Sequence, residues 1–272
     1  MVRINKDIEV TIDEHWAALN VTGDEQIVHR DANAAAEFLK TENEIIMQGV
    51  HLAGFLETLL PLKDMKKQYL LKRDIEFFKD SAVGININSG KVNLHYEFNI
   101  IQDNPFYVQS FKVRTDSKDI FFGKIYSTDN FGAFTDVMKR QNNFHEIFKY
   151  NSIAERPFLL EIPLDYTKIN DFCRAIHMTR EEYKDKYGEQ FAGSFVSMKE
   201  PGILVSLLGD PKKSKYIFKK QNSEIYANTP SDKIQIFGEK TEKMKMRKVG
   251  TILKDGLGSI LTGGETVAFA FS

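Results

Sequence analysis

Cys173 and His177 stand four residues apart in a stretch with helical spacing, which would put a thiol and an imidazole on one face, as a nucleophile and its base require. Phe172 and Ala175 flank the cysteine in the same amphipathic stretch, so the simpler expectation is a small buried hydrophobe. His29-Arg30-Asp31 copies the start of a kinase catalytic loop, but Ala36 replaces the metal-binding Asn five residues after the Asp. His145-Glu146 opens a metalloprotease-like pair, and Lys149 occupies the place of the second histidine. His15, His51 and His95 have no partner at metal-ligand spacing. Asp232 with Glu239-Lys240 hints at a metal-dependent nuclease. The adjacent Glu and Lys would leave opposite faces of a strand, which weakens the hint.

Five of the seventeen glycines, Gly250, Gly256, Gly258, Gly263 and Gly264, fall near the C-terminus. Leu261 stands where a dinucleotide pattern needs glycine, and Gly264-Glu265 stands where a phosphate loop needs Lys and then Ser or Thr. Turns or bulges are the expectation there. No catalytic residue, metal ligand or cofactor motif is assigned.

The basic residues give the best-supported candidate site. Lys212, Lys213, Lys215, Lys219 and Lys220 interleave with Tyr216 and Phe218, while Lys243, Lys245, Arg247 and Lys248 surround Met244 and Met246. In an extended strand 243–249, Lys243, Lys245 and Arg247 would form a cationic ridge, with the two methionines on the opposite face. Such a surface would suit a polyanion, single-stranded nucleic acid included, or an acidic protein partner. A solvated sheet face, or an edge kept from aggregating by lysine, is the plainer alternative.

Charge is unevenly distributed. Residues 1–60 carry eleven acids against four bases, and residues 211–254 carry twelve bases against four acids, although the whole chain is −1. The two ends could attract each other or bind external partners of opposite charge. Phe and Tyr total 31, and exposed pairs such as Phe121-Phe122 or Phe106-Tyr107 would mark an interface.

Periodicity supplies the elements. Apolar residues from Asn33 to Leu60 follow a helical period up to Pro61, and Lys63–Lys79 reads as a second helix, which suggests a helical hairpin. After Ser81 the period drops to two. Val83–Ile87 and Val92–Ile100 around Ser89-Gly90 read as a β-hairpin, followed by a meander through Tyr107–Arg114 and Ile120–Tyr126. A helix is expected over Gly132–Tyr150, a strand over Phe158–Ile162, and helices over Thr167–His177 and Thr179–Phe195. Thr179 and Glu182 form a capping box at the start of the last of these. Short strands follow at Ile203–Leu208, Lys215–Lys219, Lys233–Phe237, Lys243–Val249 and Val267–Phe271.

At 272 residues, with 42% apolar and 28% charged residues, the chain reads as a soluble globular protein able to bury a large core. A lone cysteine excludes an internal disulfide and suits a reducing compartment. The N-terminus lacks the apolar core of a signal peptide, and Ile45–Leu62 is interrupted by Gln48, His51 and Glu57, so a membrane span is not expected. A cytoplasmic or otherwise intracellular protein follows.

The expected class is α+β. The expected regions are an acidic, mainly helical 1–80, an α+β 81–210 and a basic, mainly β 211–272, which could form one domain. The expected function is non-enzymatic: protein–protein binding or self-assembly with its own copies. Nucleic-acid binding through the basic C-terminal strands is the alternative. An enzyme whose site is assembled from distant residues stands third.

Overall fold

The computed structural model describes residues 1–59, 69–78, 80–88, 90–103, 105–128, 130, 132, 157–163, 165–187, 195, 198, 215–225, 233–243, 246–254 and 260–271. Twelve strands are present among them, β1 (Val2–Thr11), β2 (Glu44–Ile46), β3 (Tyr69–Phe77), β4 (Gly84–Asn86), β5 (Lys91–Asp103), β6 (Phe106–Arg114), β7 (Asp119–Thr128), β8 (Pro157–Pro163), β9 (Lys215–Ile225), β10 (Lys233–Lys243), β11 (Met246–Lys254) and β12 (Ile260–Phe271). The helices are α1 (Ile12–Thr22), α2 (Ala32–Leu39), α3 (Gly49–Leu59), α4 (Ile169–Ala175) and α5 (Arg180–Tyr187), with 3-10 turns at Ile27–His29 and Tyr166–Lys168. The α+β class holds.

Ten strands form one antiparallel sheet in the order β1-β5-β6-β7-β3-β9-β12-β11-β10-β8. The first five places come from residues up to 128 and the last five from residues after 156. Each half reads, from its outer edge inward, as its first, third, fourth, fifth and second long strand. The halves meet where Lys72 pairs with Glu224 and Glu76 with Lys220. This is a repeat of topology with no trace in the sequence at short period. Helices add a second link, because α1 and α4 follow the two outer strands and pack together. Lys168 Nζ donates to the Asn20 carbonyl at 2.7 Å, Arg174 lies 3.3 Å from Asp13, and Asn20 bonds Asp171.

The core lies between α3 and the sheet. His51, Leu52, Ala53, Phe55 and Leu56 of α3 are buried against Ile75, Phe77, Tyr96, Phe98, Phe111 and Phe121. The Tyr96 hydroxyl, itself fully buried, donates to the Leu52 carbonyl at 2.7 Å, so the large ring needs no water. Phe121 therefore belongs to the core and not to an interface. Its neighbour Phe122 is partly exposed and packs on Phe78.

Three expected elements are corrected. The helical run Asn33–Leu60 is two helices with β2 between them, because Lys40 and Asn43 both take positive φ (60° and 61°) and turn the chain without a glycine or proline to announce it. The second helix of the expected hairpin is strand β3 over residues 69–77. Leu71, Arg73, Ile75 and Phe77 are its buried positions, and the charged residue among them hides the two-residue period. The hairpin around Ser89-Gly90 does not form. β4 pairs with β2, and β1 pairs along its whole length with residues 91–100 of β5, beside which the Gly90 carbonyl accepts from Ile12 N at 3.0 Å. Partners far away in sequence outcompete the local turn.

The meander β6–β7 is as expected, and so is the capping box of α5, with Thr179 N to Glu182 Oε2 at 2.6 Å and Glu182 N to Thr179 Oγ1 at 3.1 Å. The expected helix 132–150 and the strand at 203–208 lie outside the described residues, except Gly132. Among the described residues, no helix is long and apolar enough to cross a membrane.

At the sheet surface His95 on β5 bonds two carboxylates, Asp7 on β1 at 2.7 Å and Asp116 in the β6–β7 turn at 2.6 Å. Both ring nitrogens donate, so the imidazolium is favoured, and these bonds raise the His95 pKa. A raised folded pKa gives stability that is complete below the unfolded value near 6.5 and is lost as pH rises through the folded one. The melting-temperature advantage of wild type over His95→Gln is expected to be larger at pH 5.5 than at pH 9. An equal gap at both pH values would exclude the ion pairs as its source.

Candidate active site

Helix α1 starts from a capping box, with Glu14 Oε2 accepting from Thr11 N at 2.7 Å, and ends at Gly23 in the left-handed region, φ 67°. That turn folds the chain back under the end of the helix. Along the loop that follows, Asp24, Gln26, Val28 and His29 are buried while Glu25 and Arg30 are exposed. A side chain at Gly23 would meet no steric obstacle but would force an unfavourable backbone. Gly23→Ala is expected to cost about 1 kcal/mol, measured by urea unfolding.

Asp24 is 1% exposed. Its Oδ1 accepts from Gln26 N at 2.9 Å, and its Oδ2 accepts from Gln48 Nε2 at 3.0 Å and Gln26 Nε2 at 3.3 Å. Gln48 is fixed in turn by the Thr22 hydroxyl at 3.1 Å. Three N–H donors thus replace the water a buried carboxylate loses. His29, at the end of the 3-10 turn, faces the same oxygen: its Nε2 lies 3.6 Å from Asp24 Oδ2.

The His29 tautomer follows from its other nitrogen. Nδ1 lies 2.6 Å from the Ile46 carbonyl, which can only accept, so Nδ1 carries the hydrogen and Nε2 presents its lone pair. The separation of 3.6 Å exceeds a hydrogen bond. A water placed beside both atoms can donate one O–H to each of them. Gln48, whose side chain reaches Asp24 Oδ2, immediately precedes α3, whose first-turn N–H groups have no acceptor within the helix.

Further imidazoles lie behind this pair. His15 Nε2 donates to the His29 carbonyl at 3.1 Å and His51 Nε2 to the Ala175 carbonyl at 2.7 Å, with the His15 ring centroid 6.3 Å from those of both His29 and His51. Burial pushes the His15 pKa well down and that of His51 down to about 4, so both are neutral at neutral pH. Nearer the surface His177 Nε2 lies 2.8 Å from Glu14 Oε1. Burial raises the Glu14 pKa, but the bonds to His177 and Thr11 outweigh it and the net shift is downward.

The described part of the second half has no counterpart to the Asp24–His29 pair. Between Gly23 and the α2 N-cap Asp31 the chain spends residues 24–30. Between His177, the matching left-handed residue after α4, and the α5 cap Thr179, it spends only Met178. The segment that carries the acid and the imidazole is missing there.

Of the residues singled out from sequence, Cys173 is buried with its thiol pKa pushed up by burial, and His177 lies past the end of α4 and bonds Glu14, so no thiolate–imidazole pair forms. Gly250 sits in β11 and Gly263 and Gly264 in β12, paired in the sheet and not in a phosphate loop. Glu239 and Lys240 lie in β10, and Asp232 and His145 lie outside the described residues. Lys215, Tyr216, Lys219 and Lys220 fall on β9, Lys243 ends β10, Arg247 and Lys248 fall on β11, and Lys212, Lys213 and Lys245 are outside the described residues. The expected single strand 243–249 is corrected, since Lys243 pairs with Met246 across a reversal between β10 and β11. One strand therefore does not carry the ridge. Alternating Lys and Met gave that reversal no glycine or proline signal.

Asp24 was not singled out, and His29 only as part of a failed kinase pattern. Their spacing of five is that of no regular helix face or strand. The available signal was Gly23 directly after the apolar positions of α1, a helix stop that exposes or buries whatever follows it. No set of three or more metal-ligating side chains occurs among the described residues.

No family model matches the sequence, and no curated protein matches it. Solved structures do. A MaoC-like dehydratase is similar with a TM-score of 0.67 at 9% identity, over 99% of this chain and 98% of that one. A conserved hypothetical protein of Mycobacterium tuberculosis, essential for survival during infection and described as having a double hotdog fold, is similar with a TM-score of 0.67 at 8% identity, over 99% and 96%. A putative thioesterase II from Thermobifida fusca is similar with a TM-score of 0.50 at 10% identity, over 82% and 88%.

These neighbours, a dehydratase and a putative thioesterase among them, overturn the expectation of a non-enzymatic interaction protein and of nucleic-acid binding as its alternative. Charge asymmetry misled because it describes surface, whereas the acid–imidazole pair is buried. Two repeats of one strand order, each with a helix after its outer strand, give this chain the double hotdog fold.

Proposed function

We propose that this protein is a hydro-lyase that adds or removes water across a carbon–carbon double bond next to an acyl thioester carbonyl, with Asp24 and His29 as its acid–base pair. The observation that carries the reading is the convergence of buried Asp24 Oδ2 and His29 Nε2 at 3.6 Å, in the loop between α1 and α2. An acyl thioester, whose carbonyl acidifies the adjacent C–H, is one substrate class on which both dehydration and thioester hydrolysis can act, and two neighbours carry those activities in their names, a MaoC-like dehydratase and a putative thioesterase II.

In hydration, a water oxygen held by Asp24 Oδ2 attacks the β-carbon. His29 Nε2 takes the water proton and returns a proton to the α-carbon, so the product is the 3-hydroxyacyl thioester and nothing is oxidised or reduced. Negative charge develops on the thioester carbonyl oxygen, and in this reading the unpaired first-turn N–H groups of α3 receive it. Gln26 and Gln48 keep the carboxylate aimed.

The test is to incubate the purified chain with a panel of trans-2-enoyl thioesters, following loss of the conjugated absorbance and release of free thiol in parallel. Loss of conjugation without thiol release supports the reading. Thiol release without hydration, or no reaction across chain lengths, contradicts it.

A further inference from the structure

His15 is part of no sequence motif, and the chemistry above does not use it, yet it is fully buried and touches the site from behind. Its Nε2 reaches across fourteen residues of sequence to the His29 carbonyl. That carbonyl ends the 3-10 turn, whose own bonds run from His29 N to Gln26 O and from Arg30 N and Asp31 N to Ile27 O. An acceptor at the end of such a turn needs a donor from elsewhere, and α1 supplies it.

Because the carbonyl can only accept, His15 must hold its hydrogen on Nε2, which leaves Nδ1 as a buried acceptor without a partner. Burial, first, and then His51 of α3, His29 of the turn and Arg30 beyond it discourage a second proton there. The ring is a fixed neutral donor. A leucine of similar volume would bury without the orphaned nitrogen, so packing alone gives no reason for an imidazole at this position.

We propose that His15 is a positioning residue of the Asp24–His29 pair: its Nε2–H, given to the His29 carbonyl, sets the turn so that the His29 ring meets Ile46 O on one side and Asp24 on the other. This rests on the hydro-lyase reading only for its kinetic consequence. The orientation of His29 is a property of the folded chain whatever the reaction.

His15→Gln keeps an N–H near the place of Nε2, and His15→Leu removes it. Nitrogen-15 NMR of the histidine-labelled protein reads the His29 tautomer without any substrate. The expected result is a single Nδ1–H tautomer for His29 in wild type and His15→Gln, and a mixture in His15→Leu. In kinetics, His15→Leu is expected to lose about tenfold to a hundredfold in kcat with KM nearly unchanged, as a misaligned acid–base pair does, and His15→Gln to recover most of it.

Should His15→Leu fail to fold, His15→Asn, whose shorter amide falls short of the carbonyl, takes its place in both measurements. A His29 tautomer unchanged in the variant that lacks the donor, or a His15→Gln protein as impaired as it, would overturn the proposal. A wild type without hydratase activity but with the expected tautomer pattern would sink the hydro-lyase reading and leave the positioning role standing.

Discussion

Asp24→Asn is expected to lower kcat by about a hundredfold to ten-thousandfold while the folded far-ultraviolet spectrum is retained. The amide keeps the size of the carboxylate and can still accept from Gln26 N, but it brings no negative charge to hold a water beside His29 Nε2. It also turns a donor toward Gln48 Nε2 unless it flips, so a fall of a few degrees in melting temperature is the expected structural cost. Steady-state rates together with the melting curve separate the two effects. Turnover within about threefold of wild type would remove Asp24 from the chemistry, since losing a charged partner in a buried site costs far more than that.

The second large effect is on stability in acid. His51 is fully buried and its folded pKa lies at about 4, against 6.5 for an unfolded histidine, and His15 is lowered in the same sense, in both cases first by burial. A lowered folded pKa means that the unfolded chain binds the proton and the folded one does not, between the two values. Stability is therefore complete above about pH 6.5 and falls as pH drops toward 4. For His51 alone the difference amounts to roughly 3 kcal/mol by pH 4. His15 adds to it, and Glu14, whose pKa is lowered, adds a further loss at lower pH.

Urea unfolding at pH 7.5 and pH 4.5 is expected to show a loss of several kcal/mol, a large share of the stability of an ordinary domain. In His51→Gln the slope between these values should be shallower, whatever its stability at pH 7.5. Proton NMR of the wild-type ring provides a check that needs no variant. A His51 resonance that titrates near pH 6.5 in the folded protein would refute this account.

Parts of this architecture can be read from the sequence and parts cannot, for identifiable physical reasons. The meander β6–β7 was legible because alternation and a short polar turn act over neighbouring residues, and the Thr179–Glu182 cap because it needs only four. β3 was illegible because Arg73 takes an inward position among Leu71, Ile75 and Phe77. The expected hairpin at Ser89-Gly90 failed because β5 prefers β1, some ninety residues earlier, and register energy from ten paired residues outweighs one favourable turn.

The site was the least legible part. Asp24, His29, Gln48 and Ile46 meet only after α1 ends in a left-handed glycine and β2 and α3 fold against the loop. A motif search tests spacing along the chain, and here the spacing that matters is across it. The basic C-terminal residues were conspicuous for the opposite reason, since charge is visible in a sequence whether or not it is used.

The most direct test of the central claim is mass spectrometry of the acyl product after incubating a trans-2-enoyl thioester with the protein in oxygen-18 water and, separately, in deuterium oxide. Acid–base hydration by Asp24 and His29 predicts one oxygen-18 at C3 and one deuterium at C2, at a rate that His29→Gln lowers by at least about a hundredfold. Label confined to a free carboxylic acid would mean thioester hydrolysis. Unlabelled substrate after prolonged incubation, or labelling that persists unchanged in His29→Gln, would contradict the assignment of the pair.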